Sequence, residues 1–270
     1  MRLINRRPGR GASLALAALP FVLLIAAYLV ASSARLAENA SDKVLPAPAT
    51  MGTAIVQMAF TEDSRSGRYL FWDDTAASLR RLGLGLGTAT ALGLCVGIGV
   101  GLIPYAGATL APFVAVLSMI PPMAVLPILF ITFGLGELSK VVLIVAGIAP
   151  FLIRDMALRV REIPIEQLIK AQTLGASTWQ IIVRVITPQV VPRLLDAIRL
   201  SLGPAWLFLI AAEAIAATEG LGYRIFLVRR YLSMDVILPY VGWITLLAFV
   251  FDFALRRLSR RAFAWAWGTA

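Results

Sequence analysis

The chain has no histidine and a single cysteine in 270 residues, and only 15% of its residues are charged. Without histidine there is no imidazole base, no His-ligated metal and no Ser-His-Asp triad. Cys95 alone makes neither an internal disulfide nor a cysteine-cluster metal site, and mid-span in LGLCVGIG it reads as a small packing residue. A G-x-x-x-x-G-K-[ST] loop is also missing, because GLGELSK has the wrong spacing. The chain is therefore not an ATPase of the P-loop type, and no catalytic residue, metal ligand or cofactor-binding residue is assigned to it. The net charge of +10 does not point to nucleic acid, since the basic residues cluster at predicted membrane boundaries and no soluble fold is left to present them. They read as topology signals and as contacts with anionic membrane lipids.

What the chain has is apolar length. It is 59% hydrophobic, with a mean hydropathy of +0.83, and six stretches approach the twenty or so residues needed to cross a bilayer. They lie near 12–31, 82–103, 111–133, 138–156, 198–217 and 236–255, which predicts an all-α integral membrane protein of about six transmembrane helices. Pro121, Pro122 and Pro127 interrupt the third stretch and Pro150 the fourth. A Pro-Pro step does not fit an ordinary helix, so the backbone is expected to open at 121–122. Broken helices at membrane depth are tolerated where they are buried in protein or line a cavity. The first stretch is longer than a typical signal-peptide core and reads as an uncleaved anchor.

Lys and Arg distribution orients the spans. With the N-terminus inside, fifteen basic residues fall inside, counting the seven from Arg154 to Arg199, and ten outside, which places both termini and the 157–192 loop in the cytoplasm. The expected organisation is a cytoplasmic basic N-terminus (1–11, with Arg2, Arg6, Arg7 and Arg10), the first span (12–31), an external segment (32–81), a five-span core (82–255) and a basic tail (256–270). In the external segment, residues 51–60 read as a lateral amphipathic helix that braces the bundle. Asp74 or Thr75 is expected to cap the next helix, with Arg80 and Arg81 near the outer headgroups.

Gly93 and Gly97 form a G-x-x-x-G face suited to close helix approach rather than to a phosphate loop. Ionisable groups inside spans are costly to bury and so mark function or pairing. Asp252 precedes Arg256 by one helical turn, and an i,i+4 pair is expected. Glu213 has two readings, as a partner of Arg224 or Arg229 or as a lining of a solute route. Met119, Pro121, Pro122, Trp206 and Trp243 are further candidates for such a lining.

The stretch IEQLIKAQTLGASTWQIIVRVITPQVVP, residues 165–192, is a polar island between apolar spans. Pro164 starts a short helix and Gly175 ends it. Ser177 with Gln180 makes a capping box for a second helix, which Pro188 is expected to halt. This island resembles the cytoplasmic coupling loop of ABC importer permeases, whose motif runs EAA, three residues, Gly, nine residues, Ile, one residue, Leu-Pro. Gly175, Val185 and Pro188 occupy the Gly, Ile and Pro positions and Ala171 matches. Ile169 and Lys170 stand where Glu and Ala are usual, and Thr187 replaces Leu. Glu166, one turn earlier, is a substitute for the motif Glu. With LGASTWQ, SLGPAWLFLIAAEAIAA and GLGYRI, the chain is similar to permeases of the nitrate, sulfonate, taurine and bicarbonate branch over roughly residues 40–265.

The resemblance implies a type I importer permease in the bacterial inner membrane, with no enzyme activity of its own. It implies an ABC ATPase subunit that binds ATP and Mg and docks on the loop, a second permease copy, and a periplasmic or lipid-anchored solute-binding protein. Leu168, Ile169 and Leu174 are expected to enter the ATPase groove, around Ala171, Gly175 and Ala176. The solute expected is a small oxyanion, with a small nitrogenous compound related to urea or guanidine as the alternative. A self-contained secondary transporter would show inverted repeats, which the two halves lack.

Overall fold

The fold is a computed structural model, which describes residues 8–267 except 41 and 65. Arg2, Arg6 and Arg7 of the expected basic N-terminus lie outside the described residues. The elements are α1 (Arg10–Glu38), α2 (Pro48–Phe60), α3 (Leu70–Leu102), α4 (Pro104–Leu117), α5 (Pro122–Phe133), α6 (Glu137–Arg161), α7 (Ile165–Thr173), α8 (Thr178–Ile181), a π-helical segment (Ile182–Ile186), α9 (Thr187–Ala216), α10 (Leu221–Val228) and α11 (Met234–Ala262). Helices α1, α3, α6, the run from Thr178 to Ala216, and α11 are each long and apolar enough to cross a membrane. Helices α4 and α5 make a sixth span if taken together, bent by 95° at their junction.

The bend lies where the two prolines stand. Pro121 has an extended ψ of 117° and Pro122 opens α5. Two successive residues without N–H groups interrupt the hydrogen-bond ladder, and each keeps the residue before it out of the helical region. Pro127 and Pro150 behave differently from the expectation, since α5 and α6 run through them without a break. One missing N–H costs a single ladder bond, which a packed helix tolerates.

Helices α3 and α6 run parallel along a seam of small residues. A Cβ built on Gly85 would lie 2.7 Å from Ile144 Cβ, and on Gly93, Gly97 and Gly101 it would lie 2.6 Å from Leu152, Met156 and Val160 Cβ. Each pair is separated by the same 59 residues of sequence, so both helices ascend in one direction and in fixed register. The expected G-x-x-x-G face is thus real and runs further than Gly93 and Gly97. Two parallel crossings need a single return between them, which is what α4 and α5 supply as one bent span. Cys95 lies on the exposed side of α3, away from the seam, and is not the packing residue expected.

Helix α9 descends against this pair, and its Ala205, Trp206, Leu209 and Ala212 are buried in the main core. In the segment before the bundle, α2 packs on α11 and α3 and buries Ala59 in the same core, the brace expected of the 51–60 helix. Helix α3 starts at Leu70, well before position 82, and Tyr69 rather than Asp74 or Thr75 is its N-cap. Helix α1 stands apart. Of its residues only Ser32 is buried, and it is tied to the following segment by Tyr28 Oη donating to Pro46 O at 2.7 Å and Ser32 Oγ to Leu45 O at 2.9 Å.

Candidate functional site

The loop joining α6 to α9 is built as two short helices around one glycine. Ala176 N–H donates to Ala171 O at 3.0 Å and Gly175 N–H to Gln172 O at 2.9 Å, closing α7. Gly175 has φ +80°, and a Cβ there would meet nothing within 4 Å. Backbone sign rather than space requires glycine at this turn. Ser177 and Gln180 form the capping box expected, with Gln180 N–H to Ser177 Oγ at 3.3 Å and Ser177 N–H to Gln180 Oε1 at 2.8 Å.

Pro188 does not stop the second helix. The chain passes from α8 through the π segment directly into α9, and Pro188 sits in the first turn of α9. A proline is tolerated there because the widened turn re-phases the ladder ahead of it. Gln189 helps to bind this junction, its Nε2 donating to Val185 O at 2.8 Å and to Gln167 Oε1 on α7 at 3.0 Å.

The two faces of the loop differ from the arrangement expected. Leu168, Ala171 and Ala176 turn inward against a buried cluster of Ile98, Val160, Ile181, Ile186 and Val190. They seat the loop on its own bundle rather than present it. The outward face carries Ile169, 51% exposed, and Leu174, 79% exposed, joined by Ile165 at 59% and Trp179 at 71%. Neither Ile165 nor Trp179 was assigned to the docking face from the sequence. The i,i+4 spacing of Ile165 and Ile169 was the signal for the first, and the capping box, which fixes the start of α8, was the signal for the second. Glu166 is exposed on α7.

At the opposite end of the bundle lies a buried ion network. Glu213, 0% exposed, is paired with Arg81, 1% exposed, at 2.8 Å. Neither Arg224 nor Arg229 is its partner, and Arg81 is enclosed by the bundle rather than exposed on its surface. Arg81 also reaches Glu137 at 2.6 Å and donates to Glu219 O at 2.8 Å. Ser78 Oγ contacts both Glu213 oxygens at 2.8 and 2.9 Å, and Gly222 N–H donates to Glu213 Oε2 at 2.8 Å. Beside it the fully buried Asp74 takes Arg224 Nε at 2.7 Å, Gly220 N–H at 2.8 Å and Tyr240 Oη at 3.2 Å. Five helices, α3, α6, α9, α10 and α11, are joined through these groups and the turn that precedes α10. Buried charges need this degree of satisfaction.

The lining candidates separate into two groups. Met119, 75% exposed, stands with Pro121 and Pro122 at the α4–α5 bend. Glu213 is enclosed by the network, and Trp206 is buried with an indole N–H that has no acceptor among the described residues. Trp243 packs in a cluster with Phe71 and Trp72 and donates to Thr75 Oγ1 at 3.1 Å. Asp252 makes the expected pair with Arg256, at 3.6 Å, and a closer one with Arg199, at 2.9 Å.

Comparison with known proteins agrees with this architecture. The sequence profile of the binding-protein-dependent transport system inner membrane component matches residues 89–264. Over 195 residues the chain is 40% identical to the taurine transport system permease protein TauC of Escherichia coli (strain K12), covering 72% of this chain and 70% of that one. Over 226 residues it is 32% identical to the putative aliphatic sulfonates transport permease protein SsuC of the same organism, covering 83% of each. A solved chain of the MetNI methionine ABC transporter, in an inward-facing conformation, superposes with a TM-score of 0.63 at 22% identity, over 74% of this chain and 99% of that one. That last likeness is one of fold. With a profile match through the loop, the bent span and α9, the chain belongs to the inner-membrane permease components of binding-protein-dependent ABC importers and is a transport subunit rather than an enzyme.

Proposed function

We propose that the chain forms, as a homodimer, the translocation pathway of an ATP-driven importer for a small oxyanion, a sulfonate such as taurine first among them. The observation that carries the reading is the outward apolar ridge of Ile165, Ile169, Leu174 and Trp179 on a loop whose other face is fastened to the bundle. Such a ridge suits a helix-in-groove contact with an ATPase subunit, and its seat on Val160 of α6 and Val190 of α9 passes a rigid-body push to two spans. ATP and Mg would be held by that ATPase and not by this chain. A solute-binding protein outside the membrane would deliver the solute, and both termini and the loop would face the cytoplasm. The names of the taurine and sulfonate relatives support the substrate class. A cationic nitrogenous solute would be suited by a free carboxylate on the route, and Glu213 is instead taken up by Arg81.

The test is uptake of taurine, nitrate, bicarbonate, urea and guanidinium by vesicles holding the permease with its ATPase and binding protein. ATP-dependent accumulation of taurine is expected; accumulation of guanidinium alone would overturn the substrate class. The docking role has its own check. Gly175→Ala is expected to strain the turn by about 1–2 kcal/mol and weaken ATPase copurification. Gly175→Arg, which adds a charge beside Leu174, should abolish copurification while the permease stays in the membrane. A full ATPase complement bound to Gly175→Arg would remove the loop from the docking surface.

A further inference from the structure

Three basic residues lie inside the predicted spans, and two of them have carboxylate partners: Lys140 with Glu137 at 3.1 Å and Arg199 with Asp252 at 2.9 Å. The third, Arg154, has none among the described residues. A cation at the inner end of a span is costly to hold without a counter-charge, so its location asks what anion it meets. Arg154 is exposed and stands about 10 Å, or two helical turns, before Arg161 at the loop end of α6. It does not run along the helix toward that end. Its Nη1 instead donates to Ser118 Oγ at 2.7 Å, at the break between α4 and α5. Ser118 Oγ in turn donates to Ala115 O at 2.8 Å, which fixes its lone pairs toward the guanidinium.

Arg154 and Ser118 lie in a cleft of about 570 Å³ between α3, α4 and α6, whose walls include Val114, Phe151 and Leu158. The other charged groups in the cleft are already engaged. Asp155 is paired with Arg159 at 3.5 Å, and Arg161 Nη2 donates to Val100 O at 3.3 Å. The cleft therefore presents one guanidinium, with most of its five donors unspent, at the backbone break of the bent span. Guanidinium groups match the oxygens of planar and tetrahedral oxyanions in a fork geometry.

We propose that Arg154, positioned by Ser118, binds the oxyanion group of the solute as it passes the α4–α5 break, so that this pair sets the pathway's preference for anions. The proposal rests on the oxyanion-importer reading above and adds the residue that enforces it. A phospholipid phosphate offers the same chemistry, and the experiment separates the two sources.

In proteoliposomes carrying the whole importer, Arg154→Gln is expected to slow taurine uptake by roughly ten- to hundredfold, the effect of losing a charge-assisted hydrogen bond, while the complex still copurifies intact. Arg154→Lys, which keeps a cation but loses the fork, should recover part of the rate. Uptake by Arg154→Gln at the wild-type rate overturns the proposal. If such uptake comes with loss of a bound phospholipid in native mass spectrometry, the site belongs to a lipid phosphate. Failure of the wild-type importer to accumulate any oxyanion instead overturns the substrate reading. A second measurement requires no transported solute and no change at Arg154. With Phe151→Cys, on the wall of the same cleft, in a Cys95→Ser background, a sulfonate-bearing thiol reagent should label position 151 faster than its ammonium counterpart. Equal rates, or the reverse order, would overturn the proposal whatever the uptake result.

Discussion

Glu213→Ala is expected to lower the stability of the permease by about 3–5 kcal/mol, the loss typical when one partner of a buried ion pair is removed. The variant leaves Arg81, 1% exposed, with only the half-exposed Glu137 and Glu219 for counter-charge. It also strips the acceptor from Ser78 Oγ and from Gly222 N–H. Thermal denaturation in detergent, followed by size-exclusion fluorescence, should show a lower midpoint and reduced recovery from the membrane. Glu213→Gln keeps an acceptor for Ser78 and Arg81 and should fall between. The double variant Arg81→Met, Glu213→Leu removes both members of the buried pair, leaves the neighbouring Asp74–Arg224 pair in place, and should recover at least half of the loss. If Glu213→Ala transports and denatures like the wild type, the network holds nothing together.

Gly97→Leu should separate the two parallel helices. A Cβ at 97 would stand 2.6 Å from Met156 Cβ and 3.1 Å from Ile153 O, and only the helix axes could yield. Overpacking of a soluble core costs about 1–3 kcal/mol, and a backbone-to-backbone seam with no flexible side chain to absorb the change belongs at or above the upper limit. Gly99→Leu is the control, since a Cβ at 99 meets nothing within 4 Å. Expression and thermal midpoint should collapse for Gly97→Leu and hold for Gly99→Leu. Equal behaviour would mean that the close register of α3 and α6 is not needed for folding.

Much of this was legible in the sequence because it depends on local chemistry. Hydropathy length placed the spans, Pro121–Pro122 placed the bend, Gly93 and Gly97 marked the seam, and Ser177 with Gln180 marked the start of α8. What was not legible depends on partners distant in sequence. Arg81 and Glu213 meet across 132 residues, and a charged residue near a span end reads equally as a headgroup contact until its neighbour is known. The loop was misread for a related reason. Leu168 and Ile169 are adjacent and both apolar, and only the position of Ile98 and Val160 on other helices decides which of them is covered. Pro188 was read as a terminator because a π turn has no signature in composition.

That π turn, Ile182–Ile186, has a consequence for the angle at which the loop is held. An α-helix advances about 100° with each residue, whereas a π turn takes up an additional residue with little added rise. The azimuth of α7 and α8 about the axis of α9 is therefore set by counting residues, not by side-chain fit alone. One residue fewer in this turn would swing Leu174 and Ile169 about a quarter of a revolution around the span. The orientation of the loop is encoded as a miscount in the helix that carries it.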